Sequence, residues 1–182
     1  IVMVQVSVTP FQYNPVSKTL TVIHEIDLEL VESGEIESPH IPQKKSREFE
    51  LLYESLVVNY PSSTREGEEV YQRPSILYVL PNNIGNLLGT VEELMNWKKR
   101  VGFDVQYVSS SSIVNNRNNL KDYIEDAYET WENPPVHVTI VGDVDGSYDI
   151  PTWNESYSGY SGEGDMPYTN LEGNDVYPEV FI

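Results

Sequence analysis

Residues Ser75–Leu80 read SILYVL, a continuously apolar run too short for a helix, and they set the fold class of everything around them. Such a run reads as a strand of a parallel sheet. Downstream, Leu87, Leu88, Val91, Leu94 and Met95 recur at helical spacing, and Thr90 with Glu93 has the form of a capping box at the start of that helix. Lys98, Lys99 and Arg100 place positive charge at its C-terminus, and Gly102 can supply a left-handed cap. Phe103–Val108 is the next strand. Leu120, Tyr123, Ile124, Ala127, Tyr128 and Trp131 then form an apolar stripe on a second helix, about Asn116–Trp131. Val136–Val141 (VHVTIV) is a third strand, read as central and buried on both faces. The order β-α-β-α-β implies an open parallel α/β sheet with flanking helices. The third strand ends in Gly142-Asp143, and ligand sites in such sheets collect beyond the carboxyl ends of the strands. Val144–Ile182 reads as a long aromatic, Gly-rich, acidic loop closed by a hairpin around Gly173-Asn174-Asp175. Loops of that length in a domain are usually functional.

Upstream the period changes to two. Val2, Val4, Val6 and Val8 alternate with polar residues. After the turn-like Asn14–Lys18, Leu20, Val22, His24, Ile26, Leu28 and Leu30 alternate again. The two runs predict a β-hairpin with one buried face. Pro39–Lys45 reads as loop, and Phe49–Val58 as an apolar segment whose type the pattern does not settle. Pro61–Glu69 (PSSTREGEE) has the composition of an exposed linker. The chain therefore divides into residues 1–64, a linker at 65–73, and an α/β part at 74–182. Arg65, or the basic cluster Lys44–Arg47, is the candidate processing point.

The 182 residues carry 29 acidic and 11 basic side chains, a formal net charge of −18. Nucleic acid and anionic membranes are repelled by such a surface, whereas divalent cations are favoured. There is no cysteine, so neither a disulfide nor a thiol nucleophile is available in these residues. No apolar run approaches the roughly 20 residues of a membrane span. The opening IVMVQVSV lacks a basic stretch ahead of an apolar one, so a signal peptide is expected upstream or already removed.

Three stretches together resemble the gingipain family of cysteine peptidases. FQYNPVSKTLTVIHEIDLEL (Phe11–Leu30) resembles the end of the family's prosegment. NWKKRVGFDVQYV (Asn96–Val108) with IEDAYETW and PPVHVTIVGDVD, followed by LEGNDVYPEVFI (Leu171–Ile182), resembles the first half of the catalytic domain. The resemblance implies a caspase-like α/β half-domain preceded by a β-rich prosegment portion that shields the cleft. It also implies that the nucleophilic Cys and its partner His belong to a second subdomain, downstream of residue 182. This chain would then be the non-catalytic part of a secreted endopeptidase acting on proteins, with the C-terminal subdomain as its partner. His24, His40 and His137 are accordingly expected to be packed or solvated, not catalytic.

The resemblance further implies structural Ca2+. Its ligands would be the side chains of Asp143, Asp175 and Glu179 with the backbone carbonyls of Glu172 and Tyr177, a donor set suited to a hard cation. Glu172 departs from the apolar residue expected there. Asp145, Asp149, Glu163 and Asp165 form a second acidic set, and Trp153, Tyr157, Tyr160 and Tyr168 line the same loop, by packing or as a rim. Two rival readings are a proteolytically inactive gingipain-like domain serving cell-surface assembly, and an unrelated α/β binding module. The second requires a Gly-rich loop that Leu80–Gly85 does not provide.

Overall fold

The computed structural model describes residues 4–29, 31, 45–60, 71–173 and 177–182. The chain divides into two compact units, Ile1–Ile41 and Pro42–Ile182.

In the first unit, β1 (Phe11–Asn14) pairs antiparallel with β2 (Thr19–Val22), Phe11 opposite Val22 and Asn14 opposite Thr19. Asn14 Oδ1 closes the turn by accepting the Val16 and Ser17 amides at 3.0 and 3.2 Å. The hairpin is shorter than its sequence pattern. Val4, Val6 and Val8 carry the alternation but no strand, and the β1 and β2 side chains are exposed instead of sharing a buried face. Two four-residue strands are too small to bury a face by themselves.

The second unit opens with α1 (Arg47–Leu56), which settles the apolar segment as a helix. Ser46 caps it, its Oγ accepting the Phe49 amide at 3.5 Å, and Glu48 and Glu50 complement the dipole of its first turn. The helix is fastened to the unit by Phe49, whose ring stacks on Phe181 at 4.3 Å.

β3 (Ser75–Val79), β4 (Asp104–Val108) and β5 (His137–Ile140) form a parallel sheet in the order β4-β3-β5. The register sets Ile76 beside Val105 and His137, and Val79 beside Val108 and Ile140. All five residues of β3 are buried. Leu77 and Val79 point to one face and meet Leu120 and Ile124 of α4 (Arg117–Thr130). Ile76 and Tyr78 point to the other and meet Met95 of α2 (Leu88–Arg100). The expected α/β class, an open parallel sheet with flanking helices, is what the second unit shows.

Three details correct the sequence reading. The central strand is β3, not Val136–Val141: only Val138 of β5 is buried, because the far side of β5 is bridged by Phe181 alone among the described residues. The capping box is absent, since α2 starts before Thr90, continuing from a 3-10 turn at Gly85–Leu87, and no side chain caps it. Leu87 and Leu94 lie exposed, so the packed face of α2 is Leu88, Val91 and Met95. By contrast, Gly102 takes φ +104 after α2, and Asn116 caps α4 by accepting the Asn118 and Asn119 amides at 2.9 and 3.2 Å. A four-residue helix, α3 (Ser111–Val114), precedes that cap.

His137 sits between the rings of Phe103 and Phe181. Burial holds its imidazole below the ordinary value, with Glu48 opposing the shift and Lys98 adding to it. The folded state thus binds the proton less well than the unfolded chain, and stability is lost as pH falls below about 6.5 toward the folded value. His137→Phe is expected to remove this component. In urea titrations from about pH 7.5 to pH 5 the variant should gain on the parent as pH falls; a constant difference would contradict the assignment.

Candidate functional site

Two places in the second unit carry the residues that sequence singles out. The first is the crest above the carboxyl ends of the strands. The Val141 amide still pairs with Val79 O at 2.9 Å, and the chain then turns through Gly142. A Cβ on Gly142 would stand 2.7 Å from both Ile150 Cγ1 and the Tyr148 carbonyl oxygen, so only glycine allows the approach. The loop closes on Asp143: its amide donates to Tyr148 O at 3.0 Å and its carbonyl accepts the Ile150 amide at 2.8 Å. The Asp143 carboxylate accepts the Val144 amide at 2.8 Å, and the Asn83 side chain donates to Ser147 O across the crest.

Beyond the loop, β6 (Trp153–Tyr157) and β7 (Tyr160–Gly164) form a tight hairpin. Its turn residues, Ser158 and Gly159, both have positive φ, at 51° and 85°. Trp153 packs edge-on against Tyr168 at 4.6 Å, with the Arg117 guanidinium 5.5 Å from the Trp153 ring centre. Tyr168 is buried and donates its hydroxyl to Pro151 O. Burial pushes that hydroxyl's pKa up, Asp165 adds to the shift and Arg117 opposes it. Trp153 and Tyr168 are therefore packing residues, while Tyr160 is exposed.

The second place is the foot of the sheet. Phe181 pairs with His137 at the start of β5: the Val138 amide donates to Phe181 O at 2.7 Å, and the Phe181 amide to Val136 O at 2.9 Å. Just before it, Glu179 clips the preceding loop. Its Oε2 accepts the amides of Leu171 and Glu172 at 2.7 and 3.2 Å, and its own amide donates to Thr169 O at 2.9 Å. Tyr53 of α1 and Tyr128 of α4 face this clip. Burial raises both phenol pKa values, and the Glu179 and Glu172 carboxylates raise them further.

The structure brings Glu172 and Glu179 together and sets Asp143 apart from them. From His137, level with Phe181, to Asp143 the chain advances six residues, roughly 20 Å at strand rise. Asp143 crowns one end of β5 and Glu179 serves the other. Tyr177 is exposed, Asp175 lies outside the described residues, and so do Arg65 and His40. Among the described residues no three His, Cys, Asp or Glu side chains form a group able to hold a metal ion. None of their helices is long and apolar enough to cross a membrane.

Gly142→Ala is expected to destabilise the protein by about 1–3 kcal/mol, because the Ile150 side chain and a backbone carbonyl must both yield. Urea unfolding measures it, and an unchanged midpoint would show that the crest is free to relax.

Comparison with known proteins adds the family. The model for peptidase family C25 matches residues 70–182. Gingipain R2 of Porphyromonas gingivalis strain W83 is 28% identical over 182 residues, 97% of this chain and 23% of that protein. Gingipain R1 of the same species is also 28% identical over 97% of this chain, which covers 17% of it. The chain thus spans less than a quarter of the length of these relatives. A solved structure described as "Structure of Protease" superposes with a TM-score of 0.47 and 22% identity over 59% of this chain and 23% of its own.

Proposed function

Because the chain belongs to peptidase family C25, we propose that it is the non-catalytic N-terminal part of a secreted, calcium-stabilised cysteine endopeptidase acting on proteins. One conjunction supports this reading. The family match runs through residues 70–182, yet the chain contains no cysteine. A cysteine peptidase needs a thiolate beside a base. In this proposal the Cys, with the His beside it, is supplied by the C-terminal catalytic subdomain of the same protein, the partner of this chain.

Residues 1–64 are assigned to the end of the prosegment, 65–73 to a linker cut at Arg65, and 74–182 to the caspase-like first subdomain. The 182-residue chain alone is expected to hydrolyse no peptide, while the longer gene product does so and is silenced by a thiol alkylating agent. Turnover by the isolated chain, or alkylation-resistant turnover by the longer product, would contradict the proposal.

For calcium, Asp143 is set aside, because six residues of chain run from the level of Phe181 to Asp143, roughly 20 Å at strand rise. The proposal is narrower: the loop bearing Glu172, Asp175, Tyr177 and Glu179 supplies the oxygens, which is the ligand chemistry a hard cation takes. Calcium should then raise the thermal midpoint, and Asp175→Asn should abolish the rise. A midpoint indifferent to calcium and to chelator would remove the metal from the account.

A further inference from the structure

Among the described residues β4 is an edge of the sheet, paired only with β3. The Asp104 amide donates to Pro74 O at 2.8 Å and Val108 O accepts the Leu80 amide at 2.9 Å. In a parallel ladder the bonding direction alternates along the strand. Residues 104, 106 and 108 therefore spend their backbone groups on β3, and Val105 and Tyr107 aim theirs away from the sheet. No backbone partner meets them among the described residues. Edges of this kind are usually blunted by lysine, proline or a bulge. β4, DVQYV, has none of these, and both Gln106 and Tyr107 are exposed.

A cleft of about 550 Å3 runs along the same edge. Asp104 and Gln106 line it from the α4 face, with Tyr123 and Trp131 in an edge-to-face pair at 6.2 Å. Tyr107, on the alternate side of the strand, also lines it, so the cleft wraps the edge. Its foot is built: Asn133 accepts the Arg73 amide at 3.1 Å and donates to the Arg73 carbonyl and Asp104 carboxylate at 3.3 Å each.

We infer that this edge is a docking site for an extended, positively charged peptide segment of another protein, added as a strand beside β4. The outward amides and carbonyls of Val105 and Tyr107 supply main-chain hydrogen bonds. Alternate side chains of the guest fall to the Gln106–Trp131 side and the Tyr107 side. The charge of the guest follows from its surroundings: Arg73 is paired with Asp104 at 3.5 Å, which leaves Glu132 as the unbalanced charge of the cleft, within a chain of net charge −18. A second copy of the chain is a poor guest for the same reason, since two such charges repel. The site goes beyond the peptidase reading and does not depend on it.

The test is fluorescence anisotropy with the 182-residue chain and a labelled peptide of about ten residues alternating Lys with Val and Thr. Binding that weakens with salt is expected. Tyr107→Pro deletes an outward amide without touching the bonds to β3, and should abolish binding. Gln106→Lys adds a repelling charge and should weaken binding by about tenfold. Circular dichroism of both variants shows whether they fold, and the lysine variant decides if the proline variant does not. No binding by the parent, equal binding of a Glu-for-Lys peptide, or Gln106→Lys binding as tightly as the parent overturns the inference. Sedimentation as a dimer through this edge would also overturn it, by giving the edge to a second copy.

Discussion

The pairing of β3 on both its edges is the constraint from which the second unit follows. A strand buried on both faces has no solvent to satisfy its backbone, so each amide and carbonyl of Ser75–Val79 needs a neighbouring strand. β4 and β5 provide them in parallel register, and parallel strands require crossovers, here α2 and α4. Alternate side chains of β3 then seed two cores: Leu77 and Val79 under α4, Ile76 and Tyr78 under α2. Truncating any of these four would open a cavity in a layer that has no slack, at a cost of about 2–5 kcal/mol.

The same arrangement distributes chemistry to two ends. At the crest, Gly142 lets the loop fold back on Ile150 and fixes Asp143 where a parallel sheet presents its ligand side. At the foot, Glu179 gathers the Leu171 and Glu172 amides while Phe181 joins β5 and receives Phe49 from α1. One aromatic stack thereby fastens a helix that precedes the 61–70 segment to the sheet that follows it. Among the described residues the laterally bare strand is β4, which buries Val105 and Val108 under the crossovers and leaves Gln106 and Tyr107 exposed.

Much of the α/β part was legible in sequence because single residues with one dominant physical role mark it. SILYVL has no polar alternation, Asn116 is a strong N-cap, and Gly102 is the residue that tolerates φ +104. The sequence reading failed where composition is silent about neighbours. VHVTIV is more β-branched than SILYVL, yet lies at the flank, since burial is decided by which strand is paired twice. Ser158-Gly159 between Trp153–Tyr157 and Tyr160–Gly164 is a two-residue hairpin signal overlooked within a long acidic loop. Ser46, with Glu48 and Glu50 behind it, marked the start of α1. For the acidic set, the family resemblance implied one centre, whereas strand direction separates Asp143 from Glu179 along β5. The N-terminal alternation overstated its hairpin: of the two runs, only Phe11–Asn14 and Thr19–Val22 pair among the described residues.

The central claim is that this chain belongs with a cysteine-bearing second half that performs the chemistry. The direct measurement is to label the longer gene product with a thiol-directed, peptide-like inhibitor and locate the label by mass spectrometry. The account predicts one labelled cysteine downstream of Ile182, on the same polypeptide or on a fragment that stays bound to this one. A single thiol-free species of 20.8 kDa, or a product whose cysteines take no label, would contradict it and leave a C25-type domain without peptidase chemistry.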